Sequence, residues 1–273
     1  MPDAKLDRED LDLLTDLGQE AGQIAMKWFG QDPQVWMKEG QSPVSEADFA
    51  VDSFLKSELL KARPDYGWLS EETDDNEARL TAKRVFVVDP IDGTRGFIAG
   101  SAQWCISIAV VEEGRPVAGI LECPALRQTI VAQASSGAWC NKELMRKDSI
   151  ASVPGQAPLR VTGPRSLQKS TDRDWDKPVE RLPFVPSLAY RIAMIGMGQA
   201  DLSLARASAK DWDLAAADLI AHEAGACLTD LTGDKPIYNC QDVRHGALIA
   251  CRATEHKEML DLAIKAINKT GQS

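Results

Sequence analysis

Two aspartates three positions apart are the residues of this sequence best suited to chemistry. Residues 89–94 read Asp-Pro-Ile-Asp-Gly-Thr, directly after a short apolar run. Pro90 fixes its own φ, and Gly93 permits a positive φ or a close backbone approach. Such a loop would aim Asp89 and Asp92 at one point, where the carboxylates repel each other unless a cation or a proton compensates. Hard oxygen ligands of this type suit Mg²⁺, which completes its coordination shell with water and substrate phosphate.

The same residues also fit an ordinary turn, in which an aspartate caps the backbone. Two other acidic stretches favour the chemical interpretation. Glu71 and Glu72 follow a second short apolar run, and residues 211–217, Asp-Trp-Asp-Leu-Ala-Ala-Ala, form an acidic entry to an alanine-rich helix. Each stretch alone has a structural explanation: surface charge for the glutamates, and capping or the helix dipole for Asp213. The ordered combination of all three points to a cation site.

The elements that must position these residues are predicted from the spacing of apolar residues. Helical spacing predicts helices over residues 7–29, from 45 onward, and over 187–197, 212–224 and 254–268. Short β-branched and aromatic runs predict strands at 66–70, 84–88, 160–162, 200–204 and 246–251, and an antiparallel meander over 104–140. The strand at 84–88 is predicted to stop at Asp89. An antiparallel-rich first half and an alternating second half predict an α/β or α+β protein built in layers.

A polar stretch with proline and glycine, residues 147–158, predicts a junction between two domains. The first domain would span residues 1–150 and hold the acidic loop, and the smaller second domain would span residues 151–273 and contribute Asp213. A chain of 273 residues with 44% hydrophobic residues is long enough to bury a sizeable core. Its composition argues against disordered, collagen-like and coiled-coil proteins.

The net charge is −10, from 31 basic and 41 acidic residues. This balance argues against non-specific nucleic-acid binding, which needs a positive surface, but it permits a small phosphate in a cleft that holds cations. The apolar runs are too short to span a bilayer, and the N-terminus shows no secretory signal, so no membrane partner is expected. Six cysteines without a C-x-x-C pair predict reduced thiols in a cytoplasmic protein. The three histidines show no zinc-ligand spacing.

Three motifs together resemble those of the inositol monophosphatase superfamily. Residues 68–73, Trp-Leu-Ser-Glu-Glu-Thr, contain the Glu-Glu pair, residues 89–94 match D-P-[IL]-D-G-T, and residues 212–217 match W-D-x-A-A. Motif order, spacing and chain length agree, so the resemblance covers essentially the whole chain. It implies a metal-dependent, lithium-sensitive phosphomonoesterase, commonly a homodimer. The implied fold is a layered α/β/α/β/α sandwich of the inositol monophosphatase and fructose-1,6-bisphosphatase type.

The resemblance also implies roles for individual residues. It implies two or three Mg²⁺ ions per active site, held by one backbone carbonyl and four side chains: the carbonyl of Ile91, and Glu71, Asp89, Asp92 and Asp213. Thr94 and Glu71 resemble the pair that orients and deprotonates the attacking water, while the N–H groups of Gly93 and Thr94 would cradle the phosphate. The implied substrate-binding residues are Asp92, Gly93, Thr94, Arg206 and Asp213.

Two upstream residues have competing interpretations. Asp48 resembles the family aspartate that supports the catalytic threonine, and it equally fits a capping box with Ser45 at a helix start; both can hold. Lys38 occupies the place of a basic residue near the metals, or it is simply a solvated lysine.

The substrate is the open question. Family members hydrolyse myo-inositol monophosphates, 3'-phosphoadenosine 5'-phosphate and, in some cases, fructose 1,6-bisphosphate. Inositol-specific members have a glutamate seven positions before the W-D aspartate, and here that position holds Arg206. A guanidinium at Arg206 or at Arg95 could pair with a second phosphate, or both could be exposed surface.

Inositol 1-phosphate or a similar polyol phosphate therefore stands nearly level with 3'-phosphoadenosine 5'-phosphate as the expected substrate. A regulatory interaction protein that keeps the fold is a third alternative. A two-carboxylate glycosidase is disfavoured, because Asp89 and Asp92 belong to one turn and would lie too close together.

Overall fold

The computed structural model describes residues 3–31, 33–37, 43–145, 158–171 and 178–269. A short hairpin comes first, formed by β1 (Val35–Met37) and β2 (Pro43–Ser45). Seven strands then form the larger sheet and lie side by side in chain order: β3 (Gly67–Ser70), β4 (Arg84–Asp92), β5 (Cys105–Glu112), β6 (Arg115–Cys123), β7 (Gln128–Gln133), β8 (Gly137–Cys140) and β9 (Glu143–Leu144). All neighbours in this sheet are antiparallel except β3 and β4, which are parallel.

The smaller sheet has five strands from the second half of the chain: β10 (Leu159–Thr162), β11 (Val179–Arg181), β12 (Leu202–Ala205), β13 (Ala226–Asp230) and β14 (Leu248–Arg252). Their order is β11-β10-β12-β14-β13. Seven α-helices lie in the described ranges: α1 (Ala4–Met26), α2 (Glu46–Ala62), α3 (Thr94–Ile98), α4 (Arg165–Thr171), α5 (Leu188–Gly196), α6 (Asp211–Glu223) and α7 (His256–Lys269).

The sheets and helices stack in five layers. Helices α1 and α2 cover the outer face of the larger sheet, and α5 and α6 lie between the two sheets. Helices α4 and α7 cover the outer face of the smaller sheet. The predicted α/β/α/β/α sandwich is therefore confirmed. Of the helices in the described ranges, none is long and apolar enough to cross a membrane.

The composition of the central strands and of α6 follows from this layering. Strands β5 and β6 are covered on both faces, so they are almost continuously buried and their sequences are mostly apolar. Helix α6 contacts both sheets, and its small side chains permit a close approach. A Cβ added to Gly119 of β6 would lie 3.1 Å from the Cα of Ala216. The alanine-rich sequence of α6 thus serves packing between the sheets.

Most predicted elements are present with small shifts at their ends, such as Ala4–Met26 for the predicted 7–29. The prediction that the strand at 84–88 stops at Asp89 is wrong, because β4 continues to Asp92. The hairpin, helices α3 and α4, and the short strands β8, β9, β11 and β13 were not assigned individually from the sequence. The predicted domain junction falls mostly on residues 146–157, which lie outside the described ranges, and the two-domain division stays a prediction.

Candidate active site

The end of β4 carries both aspartates of the acidic loop. Residues three apart on a regular strand point to opposite faces. Here the pairing with β5 shifts, because Asp89 opposes Ser107 while Asp92 opposes Cys105, so one extra residue bulges from β4. A bulge re-aims side chains and tolerates Pro90, which has no N–H to pair. The bulge therefore lets both carboxylates approach one point and lets β4 continue past the proline.

Glu71 is brought to the same edge by the parallel pairing of β3 with β4. Ser70, the last residue of β3, lies opposite Val88. The N–H of Glu71 donates to the carbonyl of Val88 at 3.2 Å, which places Glu71 beside Asp89.

Asp213 enters the site from the middle layer. It lies in the first turn of α6, where its carboxylate accepts a hydrogen bond from the N–H of Lys210 at 2.7 Å. The hydroxyl of Ser107 on β5 donates to the carbonyl of Trp212 at 3.1 Å, which anchors the start of this helix to the larger sheet. Asp213 therefore caps its helix, as its structural explanation predicted, and also lies beside the aspartates of β4.

Carboxylate oxygens of Asp89, Asp92 and Asp213 all lie within 4.8 Å of one another. Burial, followed by repulsion from Glu71 and the other two aspartates, holds the pKa of Asp89 well above its usual range. Burial, followed by the charge of Asp92, raises the pKa of Asp213 to about 8. The carboxylates resist ionising together because each negative charge disfavours the next one in the same buried site.

Asp92 is fixed by the N-terminus of α5. Its carboxylate accepts hydrogen bonds from the hydroxyl of Ser187 at 2.5 Å and from the N–H groups of Ala189 at 2.7 Å and Leu188 at 3.3 Å. Burial raises the pKa of Asp92, and the hydrogen bond from Ser187 opposes that rise. This support for Asp92 was not predicted from the sequence. A serine before an apolar helix is its only local signal.

Gly93 forms the turn from β4 into α3. Its φ of 96° is left-handed, and a Cβ at this position would lie 3.0 Å from the backbone nitrogen of Ser187. Only glycine meets both conditions without strain. The hydroxyl of Thr94, the first residue of α3, donates towards the carbonyl of Ile91 at 3.0 Å and towards Asp48 at 3.2 Å.

Both interpretations of Asp48 describe contacts that are present. Its carboxylate accepts the backbone N–H of Ser45 at 2.8 Å, within a reciprocal capping box at the start of α2. The other oxygen accepts from Thr94. Burial raises the pKa of Asp48, and the hydrogen bonds from Ser45 counteract this effect. The cap therefore holds the carboxylate in place against Thr94.

These residues fit divalent cations. The donor set is oxygen only, two of the three clustered aspartates are buried, and their pKa values are raised by burial and mutual repulsion. A bound cation would remove that repulsion. The pocket that such a cation would enter is lined by Glu71, Asp89, Ile91, Asp92 and Asp213.

The pocket around this cluster has a volume of about 300 Å³. Four further residues, which lie outside the three acidic motifs, also line it: Pro43, Arg95, Phe184 and Pro186. Arg206 is absent from the described lining; it is exposed and donates to the hydroxyl of Ser166 at 2.6 Å. Lys38 lies outside the described residues. Phe184 was not predicted as a pocket residue, since a single aromatic residue in a loop carries no sequence signal.

The fold and the site together define a class: a layered α/β enzyme whose acidic pocket lies where the larger sheet meets α5 and α6, and is suited to cations and an anionic substrate. A model of the inositol monophosphatase family matches residues 7–272. The chain is 30% identical to a histidinol-phosphatase of Mycobacterium tuberculosis, covering 93% of this chain and 98% of that protein.

Two proteins of Thermotoga maritima are also similar. A fructose-1,6-bisphosphatase/inositol-1-monophosphatase is 30% identical, covering 82% of this chain and 85% of that protein. The solved structure of an IMPase superposes with a TM-score of 0.83 at 26% identity, covering 96% of this chain and 99% of that one. The chain belongs to the inositol monophosphatase family and is a phosphoric monoester hydrolase.

Proposed function

We propose that this enzyme hydrolyses a small phosphorylated metabolite with two or three Mg²⁺ ions. The ions would be held by Glu71, Asp89, Asp92, Asp213 and the carbonyl of Ile91. The observation that carries the proposal is the convergence of three carboxylates to within 4.8 Å beside Thr94. An all-oxygen donor set suits Mg²⁺, which retains water and substrate phosphate as further ligands.

Different residues would orient the attacking water and remove its proton. The single proton of the Thr94 hydroxyl is directed at Asp48 and the Ile91 carbonyl, so the oxygen is left to accept a hydrogen bond from the attacking water. The carboxylate of Glu71 would take the proton of that water as general base. The bound cations would acidify the water and neutralise charge on the phosphate and the leaving oxygen. The backbone N–H groups of Gly93 and Thr94 would hold the phosphate oxygens in line with the attack.

The described pocket wall supports a substrate that carries a flat ring. Phe184 is 49% exposed beside the acidic cluster, so its ring offers a surface for stacking. Arg95 lines the same pocket and could pair with a second anionic group. These features support 3'-phosphoadenosine 5'-phosphate more directly than inositol 1-phosphate. Histidinol phosphate, the substrate that the name of the Mycobacterium tuberculosis relative indicates, also carries a planar ring.

The inositol 1-phosphate candidate is supported by the name of the Thermotoga maritima relative. Against it, Arg206 replaces the glutamate of inositol-specific members and lies outside the described pocket wall.

The test measures phosphate release from inositol 1-phosphate, 3'-phosphoadenosine 5'-phosphate and histidinol phosphate at equal concentrations. Each is assayed with Mg²⁺, with chelator, and with Mg²⁺ plus Li⁺. We expect Mg²⁺-dependent release, inhibited by Li⁺, and fastest from a ring-bearing substrate. Fastest release from inositol 1-phosphate would overturn the ring preference, and no release from any of the three would overturn the substrate proposal as a whole.

We also propose a cytoplasmic homodimer that does not bind nucleic acid non-specifically. Six free cysteines support a reducing compartment, and the net charge of −10 opposes binding to phosphate backbones. The homodimer is supported by the family resemblance alone. Light scattering should give a mass twice the 29.8 kDa of one chain.

A further inference from the structure

Asp52, one helical turn after Asp48 on α2, has no role in the reaction as described so far. It is buried, and its carboxylate accepts hydrogen bonds from the hydroxyls of Ser70 and, at 2.7 Å, of Thr73. Ser70 and Thr73 stand on either side of Glu71 and Glu72. The Ser70 hydroxyl also accepts the N–H of Glu72 at 3.3 Å. One buried carboxylate therefore holds both ends of the turn that presents Glu71.

Helix α2 consequently contacts both members of the proposed water-activating pair. Residues four apart lie on the same helix face, one turn apart. Asp48 accepts from Thr94, and Asp52 accepts from the turn around Glu71. Because α2 is a 17-residue helix packed on the larger sheet, the spacing between these two contacts is rigid.

We propose that Asp52 is a positioning residue, which sets the place of Glu71 relative to Thr94 through Ser70 and Thr73. This inference rests on the proposed function of Glu71. We call the two hydrogen bonds from Ser70 and Thr73 to Asp52 the clamp. A displacement of about 1 Å at a catalytic group costs up to roughly 10²-fold in rate, so loss of the clamp should lower kcat rather than change KM.

The test compares Asp52→Asn, Thr73→Val and the double variant. Each single variant should lower kcat at saturating Mg²⁺ with little change in KM, and the double variant should be no slower than the slower single one, because both changes break the same clamp. Hydrogen exchange at the amides of Glu71 and Glu72 should accelerate in all three. Glu122→Gln is the matched control, a buried carboxylate that accepts one threonine hydroxyl at 2.7 Å from Thr129, away from this turn.

Unchanged exchange at Glu71 and Glu72 in Asp52→Asn would overturn the positioning role, whatever the activity. Additive losses of kcat, or losses equal to those of Glu122→Gln, would also overturn it. If the wild-type protein hydrolyses no phosphomonoester, the proposed function fails, and the exchange measurement still decides whether Asp52 holds the turn.

A second inference comes from a thiol pair in the smaller sheet. Cys227 of β13 and Cys251 of β14 are directly opposed, with their sulfur atoms 4.0 Å apart. Opposed residues of antiparallel strands have Cα atoms about 4.5–5.5 Å apart, within the range of roughly 4.4–6.8 Å that disulfides span. The spacing of paired antiparallel strands is therefore compatible with a disulfide between these two cysteines.

Access and reactivity differ between the two thiols. Strand β13 is at the edge of its sheet, and Cys227 is partly exposed whereas Cys251 is fully buried. A hydrogen bond from the Cys251 thiol lowers the pKa of Cys227, and the Lys235 ammonium adds to this effect. A partly exposed thiol with a lowered pKa is the form that reacts with oxidants.

We infer that Cys227 and Cys251 form a disulfide when the protein meets a hydroperoxide. The Cys227 thiolate attacks the O–O bond, which gives a sulfenic acid and releases hydroxide or an alkoxide. The Cys251 sulfur then attacks the Cys227 sulfur, its thiol proton goes to the departing oxygen, and water leaves. Two electrons pass from the two thiols to the peroxide.

Peptide mass spectrometry after brief treatment with hydrogen peroxide and alkylation tests this inference. We expect a crosslinked 227–251 peptide, lighter by two hydrogens and restored by dithiothreitol. The buried Cys105 and Cys123, which also contact each other, should remain alkylatable after unfolding. Sulfinic acid at Cys227 without a crosslink, or oxidation confined to the other cysteines, would overturn it. Cys227→Ser should abolish the crosslink.

Discussion

At the scale of single residues, Asp48 and Thr94 show how one contact links stability to chemistry. Asp48 closes the capping box of α2 with one oxygen and accepts from Thr94 with the other. A cap alone would need neither the threonine nor its hydroxyl. A substitution at Thr94 that leaves the capping box in place therefore separates the two roles.

Thr94→Val should lower kcat by about 10²–10⁴-fold, because it removes the hydroxyl that orients the water while keeping the side-chain shape. Steady-state phosphate release measures the effect. Thr94→Ser keeps the hydroxyl and should retain most of the activity. Equal activity of the valine and wild-type enzymes would show that the hydroxyl takes no part in the reaction.

Asp213 gives a prediction about pH. Its pKa in the folded protein, about 8, lies above the ordinary value of 3.8, so the folded protein keeps a proton that the unfolded chain releases. Without divalent cations, the free energy of unfolding should therefore fall as pH rises from about 4 to about 8 and then level off. In Asp213→Asn, the free energy of unfolding should change less with pH. Urea unfolding measured from pH 4 to pH 8 tests this.

Asp16→Asn, a change at an exposed position of α1, is the control for the pH experiment and should leave the slope unchanged. The opposite result would be a cation-free wild-type protein that becomes more stable between pH 4 and 8, with Asp213→Asn removing that gain. This result would contradict the crowding of the three aspartates.

At the scale of elements, the bulge of β4 and the turn at Gly93 decide where the acidic side chains point. The motif predicts that Asp89 and Asp92 converge, and the structure brings them together. The sequence could not show how, because the bulge depends on the register with β5, which lies more than ten residues further along the chain. For the same reason the strand was predicted to end too early.

Gly93→Ala should destabilise the protein by about 1–3 kcal/mol and lower its activity, because a Cβ there is strained by the positive φ and lies 3.0 Å from the nitrogen of Ser187. Thermal unfolding and phosphate release measure both effects. Gly30→Ala is the matched control, with a φ of +75° and no atom within 4 Å of the added Cβ. Equal losses of stability and activity in Gly93→Ala and Gly30→Ala would show that the close approach of Gly93 to Ser187 has no effect.

Local motifs thus predicted that Asp89, Asp92 and Asp213 lie together, and periodicity predicted most helices and strands. What they could not predict are contacts made by distant segments. Ser187 and Ala189 hold Asp92 from a position nearly a hundred residues away, and Phe184 reaches the pocket from a loop without a pattern. Such contacts depend on the packing of α5 between the sheets.

At the scale of the whole molecule, the net charge of −10 argues against nucleic-acid partners and still permits a small phosphate. The clustered aspartates explain how a small phosphate could bind, because bound cations would reverse the sign of the pocket. The rest of the acidic surface still opposes polyanions. The cations should therefore stabilise the fold as well as serve the reaction.

Mg²⁺ at about 100 times its dissociation constant should stabilise the folded protein by about 2.7 kcal/mol, which corresponds to a rise in Tm of roughly 5–10 °C for a chain of this size. Differential scanning fluorimetry with increasing Mg²⁺ measures this shift. Asp213→Asn should show a smaller shift, and equal shifts in both proteins would place the cation elsewhere.

The most direct test of the central claim is phosphate release as a function of Mg²⁺ concentration, for the wild-type enzyme and for Asp89→Asn shown to be folded by circular dichroism. We expect wild-type activity that saturates with Mg²⁺, disappears in chelator and returns when Mg²⁺ is restored, with Asp89→Asn inactive throughout. Wild-type hydrolysis that persists in chelator, or an Asp89→Asn enzyme as active as the wild type, would contradict it.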